Sequence, residues 1–104
     1  MATVILLASA KRDLGSVLSY ISNDLNSPAA AENLLRLFNE KIERLSDFPE
    51  LYPEYNSEYN SASNKKYRYR FFPVGNYLVF YYVQNNNAYI RRIIYSKRNI
   101  EKFL

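Results

Sequence analysis

A chain of 104 residues with 48% hydrophobic and 23% charged side chains, 2 Gly and 4 Pro has the composition of a globular protein, and its length fits one domain spanning residues 1–104. It contains neither Cys nor His, which excludes disulfides, Cys nucleophiles, His bases and Cys/His zinc sites. The net charge of +4 conceals two halves of opposite sign, since residues 1–64 carry five cations against nine carboxylates and residues 65–104 carry nine cations against Glu101 alone; a face that binds a polyanion or an acidic protein is the expectation.

Thr3 to Leu7 is a β-branched and aliphatic run that predicts a strand, with Ser9 as N-cap of a following helix and Asp13 in its first turn. Leu14, Val17, Leu18, Ile21 and Leu25 recur at helical spacing until Asn26-Ser27-Pro28 supplies a stop, a new N-cap and a proline at the first helical position. Leu34, Leu35, Phe38, Ile42 and Leu45 give the second helix its apolar stripe, and Phe48-Pro49 ends it. Residues 49–64, rich in Pro, Asn and Ser, predict a long loop, mobile or functional.

Beyond the loop the period changes to two. Tyr67-Arg68-Tyr69-Arg70-Phe71 alternates aromatic with basic, which predicts a half-buried strand with the aromatics on one face and the arginines on the other. A turn at Pro73-Val74-Gly75-Asn76, a strand from Tyr77 to Val83, a turn at Asn85-Asn86-Asn87 and a strand from Ala88 to Tyr95 complete a meander, with a short helical turn within Ser96 to Leu104. The predicted fold is α+β: an N-terminal strand, an antiparallel helical hairpin, then a three-stranded antiparallel meander, all forming one sheet. No stretch approaches the roughly 20 apolar residues of a membrane helix, and the start at Met1 lacks the basic region of a signal peptide, so a cytoplasmic protein without membrane contact is expected.

Strand periodicity predicts that Tyr69, Phe71, Leu78, Phe80 and Tyr82 pack as core against the two helices. Arg68 and Arg70 are different. Like charges at i and i+2 on one sheet face repel unless something anionic lies across them, either a phosphate backbone or glutamates on the helices. Lys65 and Lys66 precede this pair, and Lys97 and Arg98 follow the last strand, so these six cations form the candidate nucleic-acid-binding set. Arg91 and Arg92 point to opposite faces of their strand, so at most one of them joins the cluster. The carboxylates lie where i,i+4 pairing on helix faces explains them, the two glycines are isolated, and no metal-ligand spacing is present; neither a cofactor nor a metal is expected.

The wording of the chain resembles the RelE/ParE superfamily of bacterial toxins over nearly its whole length. The matching pieces are Ala10-x-x-Asp13-Leu14 with Tyr20-Ile21, Ser27-Pro28-x-Ala30-Ala31-Glu32, Ile42-x-x-Leu45-x-x-Phe48-Pro49 and Tyr67-Arg68. Val74-x-Asn76-Tyr77-Leu78-Val79-Phe80-Tyr81 and Arg92-Ile93-x-Tyr95-x-x-Arg98 complete the series. The resemblance implies a toxin of a type II toxin–antitoxin pair, of the kind involved in plasmid stabilisation, neutralised by a cognate antitoxin protein. RelE-type members cut messenger RNA on the ribosome and ParE-type members poison DNA gyrase. Arg68, Arg70 and Arg98 fall where RelE-like toxins carry basic residues, which implies an mRNA endoribonuclease as the first expectation and a non-enzymatic gyrase inhibitor as the second. Tyr77 stands where RelE proper has another arginine and Leu104 where it has a tyrosine. Tyr77 and Tyr95 are therefore the candidates for stacking or proton transfer, in a catalytic set with Arg68, Arg70 and Arg98.

Overall fold

The computed structural model describes residues 2–55 and 68–104. The expected architecture is present. Strand β1 (Thr3–Leu6) leads into helix α1 (Ala8–Ser19), a π-helical turn (Tyr20–Asp24) and helix α2 (Pro28–Asp47); strands β2 (Arg70–Val74), β3 (Tyr77–Gln84) and β4 (Asn87–Tyr95) then form the meander, and a 3₁₀ turn (Ile100–Lys102) follows. The sheet order is β1-β4-β3-β2, so the first strand closes the sheet beside the last one, in parallel, with Thr3 opposite Asn87 and Leu6 opposite Ile90.

β1 is five residues shorter than β4, which leaves the edge of β4 beyond Ile90 without a strand neighbour. Helix α1 runs along that edge and satisfies it. The Leu7 amide donates to the Ile90 carbonyl at 3.0 Å, the Ser9 hydroxyl to the Arg91 carbonyl at 2.7 Å, and the Ile93 amide to the Asp13 carboxylate at 2.9 Å. This corrects the expected cap, because α1 starts at Ala8 with Leu7 as its N-cap, and Ser9 and Asp13 are spent on the strand instead. A buried strand edge must find partners, and that demand outweighs helix capping here.

The first helix also ends differently from its apolar spacing. The Leu25 amide bonds the Tyr20 carbonyl, an i to i+5 bond that widens the helix by one residue. Leu25 is thereby turned out to solvent, and Asn26, in the left-handed region at φ 52°, ends the turn before Pro28 starts α2. Two further adjustments are small: Pro73 and Val74 belong to β2 and only Gly75 and Asn76 turn, while Asn85 and Asn86, both at positive φ, make the next turn and Asn87 opens β4. Pro73 is tolerated because β2 is an edge strand, and the Lys41 ammonium donates to its carbonyl at 2.8 Å.

Both faces of the sheet are apolar, and the assignment of faces is the reverse of the expected one. Phe72, Val74, Val79, Tyr81 and Ile90 pack with Ala10, Phe38 and Leu45 of the helices. Phe71, Leu78, Phe80 and Ile94 lie on the opposite face under Tyr55, Ile100, Phe103 and Leu104; Tyr69 and Tyr82, in edge contact at 6.2 Å, share that face by strand alternation. Within the pattern that precedes and opens β2, Arg70 therefore belongs to the helix side, and Tyr69 and Phe71 to the side closed by the C-terminal segment.

The segment after α2 is partly built in. Tyr52 packs on Phe72 with ring centroids 4.6 Å apart, and Tyr55 stands edge-on to Phe80 at 5.1 Å. Pro53 to Tyr55 runs antiparallel to the start of β2, the Tyr55 amide donating to the Tyr69 carbonyl and the Phe71 amide to the Pro53 carbonyl. Of the expected 49–64 loop, residues 49–55 are thus packed and hydrogen-bonded, and the remainder lies outside the described residues.

Candidate functional site: a tyrosine-lined groove and two separated arginine groups

Arg70 sits on the helix side at the start of β2, and it forms no salt bridge among the described residues. Its guanidinium reaches the edge of the core and donates to the carbonyls of Tyr52 at 2.7 Å and Glu50 at 3.3 Å. Beside it, the buried Tyr81 hydroxyl donates to the Pro49 carbonyl at 2.9 Å, and burial pushes its pKa up to about 12. The two side chains together clamp the chain that leaves α2. Arg68 is exposed and pairs at 3.4 Å with Glu54, a carboxylate of that same segment and not of the helices. Lys65 and Lys66 lie outside the described residues.

Arg98 is elsewhere. Register places Arg70 opposite Tyr81, whereas Val74, four residues on, is opposite Tyr77, and Tyr77 is opposite Tyr95. The chain turns after Tyr95, with the Ser96 amide bonded to the Asn76 carbonyl and the Arg98 amide to the Tyr95 carbonyl. Arg98 therefore lies at the far end of the meander, about 13 Å of strand from Arg70. The exposed Lys97 shares that turn.

At this end the structure brings together three of the expected residues, Tyr77, Tyr95 and Arg98, around a groove of about 670 Å³ between α1 with its π turn, the ends of β3 and β4, and the C-terminal segment. The Tyr77 and Tyr95 rings meet edge-on at 5.8 Å. Burial, with Tyr20 and Tyr95 nearby, raises the Tyr77 phenol above its usual range, so at neutral pH it stays a protonated donor and even less of it is ionised to act as a base than in a free tyrosine.

The site contains two residues whose role the spacing did not reveal. Arg92 forms a bidentate pair with Asp13, Nε to Oδ2 at 2.7 Å and Nη2 to Oδ1 at 3.1 Å, and its remaining Nη1 donates to the Phe103 carbonyl at 3.1 Å. Arg91 also turns to α1, donating to the Ser9 hydroxyl at 3.0 Å, beside a register shift in the β3–β4 ladder between Phe80 and Tyr81. Two guanidinium groups approach the Phe103 ring, Arg92 at 5.5 Å and Arg98 at 5.4 Å from its centroid. Asp13 and Arg92 both stand in the motifs that carry the family resemblance, and a lone helix carboxylate matched by a strand arginine was the available signal.

A four-stranded mixed sheet, with a helical hairpin on one face and a basic, tyrosine-rich end, defines a RelE/ParE-like toxin fold. The family model described as "ParE toxin of type II toxin-antitoxin system, parDE" matches residues 4–100, and the chain belongs to that ParE toxin family. Among solved structures it is similar to one described as the chromosomal ParDE TA system from P. aeruginosa, at 15% identity and a TM-score of 0.70, covering 93% of this chain and 98% of that one. That likeness shows the fold. No curated protein sequence matches significantly.

Proposed function

We propose that this type II toxin acts as a non-enzymatic inhibitor of DNA gyrase, held in check by a cognate antitoxin. Membership of the ParE family supports the target, and one observation in the molecule carries the choice over RNA cleavage. Among the described residues the candidate arginines do not converge: Arg70 is spent on backbone carbonyls, Arg92 on Asp13, and Arg68 pairs with Glu54 at the opposite end of the meander from Arg98. Cleaving RNA through its 2′-hydroxyl without a histidine calls for several cations around one phosphate together with a competent proton carrier. Arg98 with a tyrosine held protonated supplies neither.

One feature favours the cleavage reading, namely that Arg98, Tyr77 and Tyr95 share a groove. Induced expression in growing cells, followed by RNA 5′-end sequencing and an SOS reporter, separates the two. Gyrase inhibition predicts intact messages and a strong SOS response. Cuts inside translated messages, with no SOS response, would assign the chain to the RNA-cleaving branch. Either target lies in the cytoplasm.

A further inference from the structure

Of the five large apolar side chains exposed among the described residues, three border the groove and two do not: Phe48 is 62% and Leu51 45% exposed at the other end of the molecule. The Ala2 amide donates to the Ser46 carbonyl, which ties the end of α2 to the start of β1. Thr3 of β1 lies opposite Asn87, which is eight residues, or about 27 Å of strand, from Tyr95 at the groove. Phe48 and Leu51 are the two ends of one turn, closed by the Leu51 amide on the Phe48 carbonyl at 3.0 Å, so their Cα atoms lie within about 7 Å and the exposed side chains are neighbours.

The fold holds this turn from beneath. The Tyr81 hydroxyl donates to the Pro49 carbonyl at 2.9 Å, and the Arg70 guanidinium to the carbonyls of Glu50 at 3.3 Å and Tyr52 at 2.7 Å. Surface water could have satisfied these carbonyls, yet core side chains fix them. A turn pinned in this way keeps its apolar side chains outward and has less conformational entropy to lose on binding than a mobile loop. Single exposed apolar residues are ordinary. A phenylalanine and a leucine side by side on a rigid support have the form of a preorganised anchor for a protein surface.

The charge around the turn selects the occupant. Residues 43–51 carry Glu43, Asp47 and Glu50 against Arg44 alone, all of them exposed, and none of the three carboxylates forms a salt bridge among the described residues. Such a rim repels a phosphate backbone and attracts a protein surface lined with cations. An enzyme that binds and passes DNA carries a surface of that kind, because it must neutralise phosphates. We propose that the Phe48–Leu51 turn docks this toxin on gyrase, its two apolar side chains entering a pocket in the cation-lined surface of the enzyme while Glu43, Asp47 and Glu50 meet the cations at the rim. The assignment rests on the gyrase reading above and adds the surface of the toxin that makes the contact and the chemistry of the enzyme surface it fits.

The test measures binding of the 104-residue chain to purified gyrase by biolayer interferometry, alongside its binding to the antitoxin encoded by the adjacent gene. Phe48→Asp and Leu51→Asp each weaken the gyrase complex about tenfold or more, and Glu50→Lys about threefold or more, while antitoxin affinity is unchanged. Glu32→Lys, the same charge reversal at an exposed position of α2 about 24 Å from Phe48, binds gyrase as the wild type does. Thermal melts check folding, and the exposed Leu51 and Glu50 side chains carry the test should Phe48→Asp unfold. Gyrase binding equal in the wild type and all three variants would overturn the docking turn and leave the gyrase reading standing. Variants that lose the antitoxin and keep gyrase would reassign the turn to the antitoxin, and wild-type self-association abolished by Phe48→Asp would reassign it to a second copy; either overturns the proposal. A wild-type chain that neither binds nor traps gyrase would refute the gyrase reading, and the docking with it.

Discussion

Replacing Asp13 by alanine is the most revealing single change in the fold. Alanine is the better helix former, so α1 itself gains about 0.5 kcal/mol and any loss of stability belongs to the network. The carboxylate accepts from Arg92 Nε at 2.7 Å, Arg92 Nη2 at 3.1 Å and the Ile93 amide at 2.9 Å, with only 17% of the Asp13 side chain and 23% of the Arg92 side chain exposed. Removing one member of a fully buried pair costs about 3–5 kcal/mol. Here the pair is partly open and Arg92 keeps the Phe103 carbonyl, so about 2–3 kcal/mol is expected, a fall in Tm of roughly 10–20 °C for a domain of this size. Urea and thermal melts followed by circular dichroism give the loss. A double-mutant cycle with Arg92→Met isolates the pair, with a coupling of about 1–2 kcal/mol. A loss under about 0.5 kcal/mol with no coupling would show that the helix is held to β4 by packing alone, and that the pair is a surface ornament.

Arg70→Ala should cost about 1–2 kcal/mol and loosen residues 49–55 to proteolysis, because two carbonyls lose their donor, whereas Arg68→Ala should stay within about 0.5 kcal/mol; equal effects by urea melts would contradict the clamp. The Tyr81 phenol keeps its proton in the folded state up to about pH 12 while the unfolded phenol releases it near pH 10, so stability present below pH 10 declines by about 2–3 kcal/mol as pH rises to 12. Melts of Tyr81→Phe should lack that alkaline decline, though they start about 1 kcal/mol lower for want of the bond to Pro49. Gly75→Ala should cost about 1–2 kcal/mol, since φ is +58° and a Cβ would stand 3.1 Å from Leu34 Cδ1; an unchanged Tm would show that the turn relaxes freely.

Periodicity and punctuation made most of the elements legible, because the helical stripe ending at Leu45 satisfies one template and the short apolar runs from Tyr77 onward, bounded by Gly and Asn turns, satisfy another. It could not tell which face of the sheet the helices would take, since Tyr69 and Phe71 on one side and Phe72 and Val74 on the other are equally apolar. That ambiguity put Arg68 and Arg70 on a solvent face in the expectation, when Arg70 belongs to the core edge. The caps at Ser9 and Asp13 were misread for a tertiary reason: both are drawn to the part of β4 that β1 is too short to cover, 82 and 80 residues away in sequence. Of the site, Tyr77, Tyr95 and Arg98 were legible from the family resemblance. The outward turn of Leu25 was not, because a π bond shifts the helical phase without leaving a mark on the apolar spacing.

The proposed action on gyrase, with RNA left intact, is tested by a cleavage-complex assay with purified gyrase, supercoiled plasmid, ATP and the purified 104-residue chain. The prediction is accumulation of gyrase-linked linear plasmid in proportion to toxin, abolished by stoichiometric antitoxin. Undisturbed supercoiling at toxin concentrations that cut messenger RNA on purified translating ribosomes would contradict the claim.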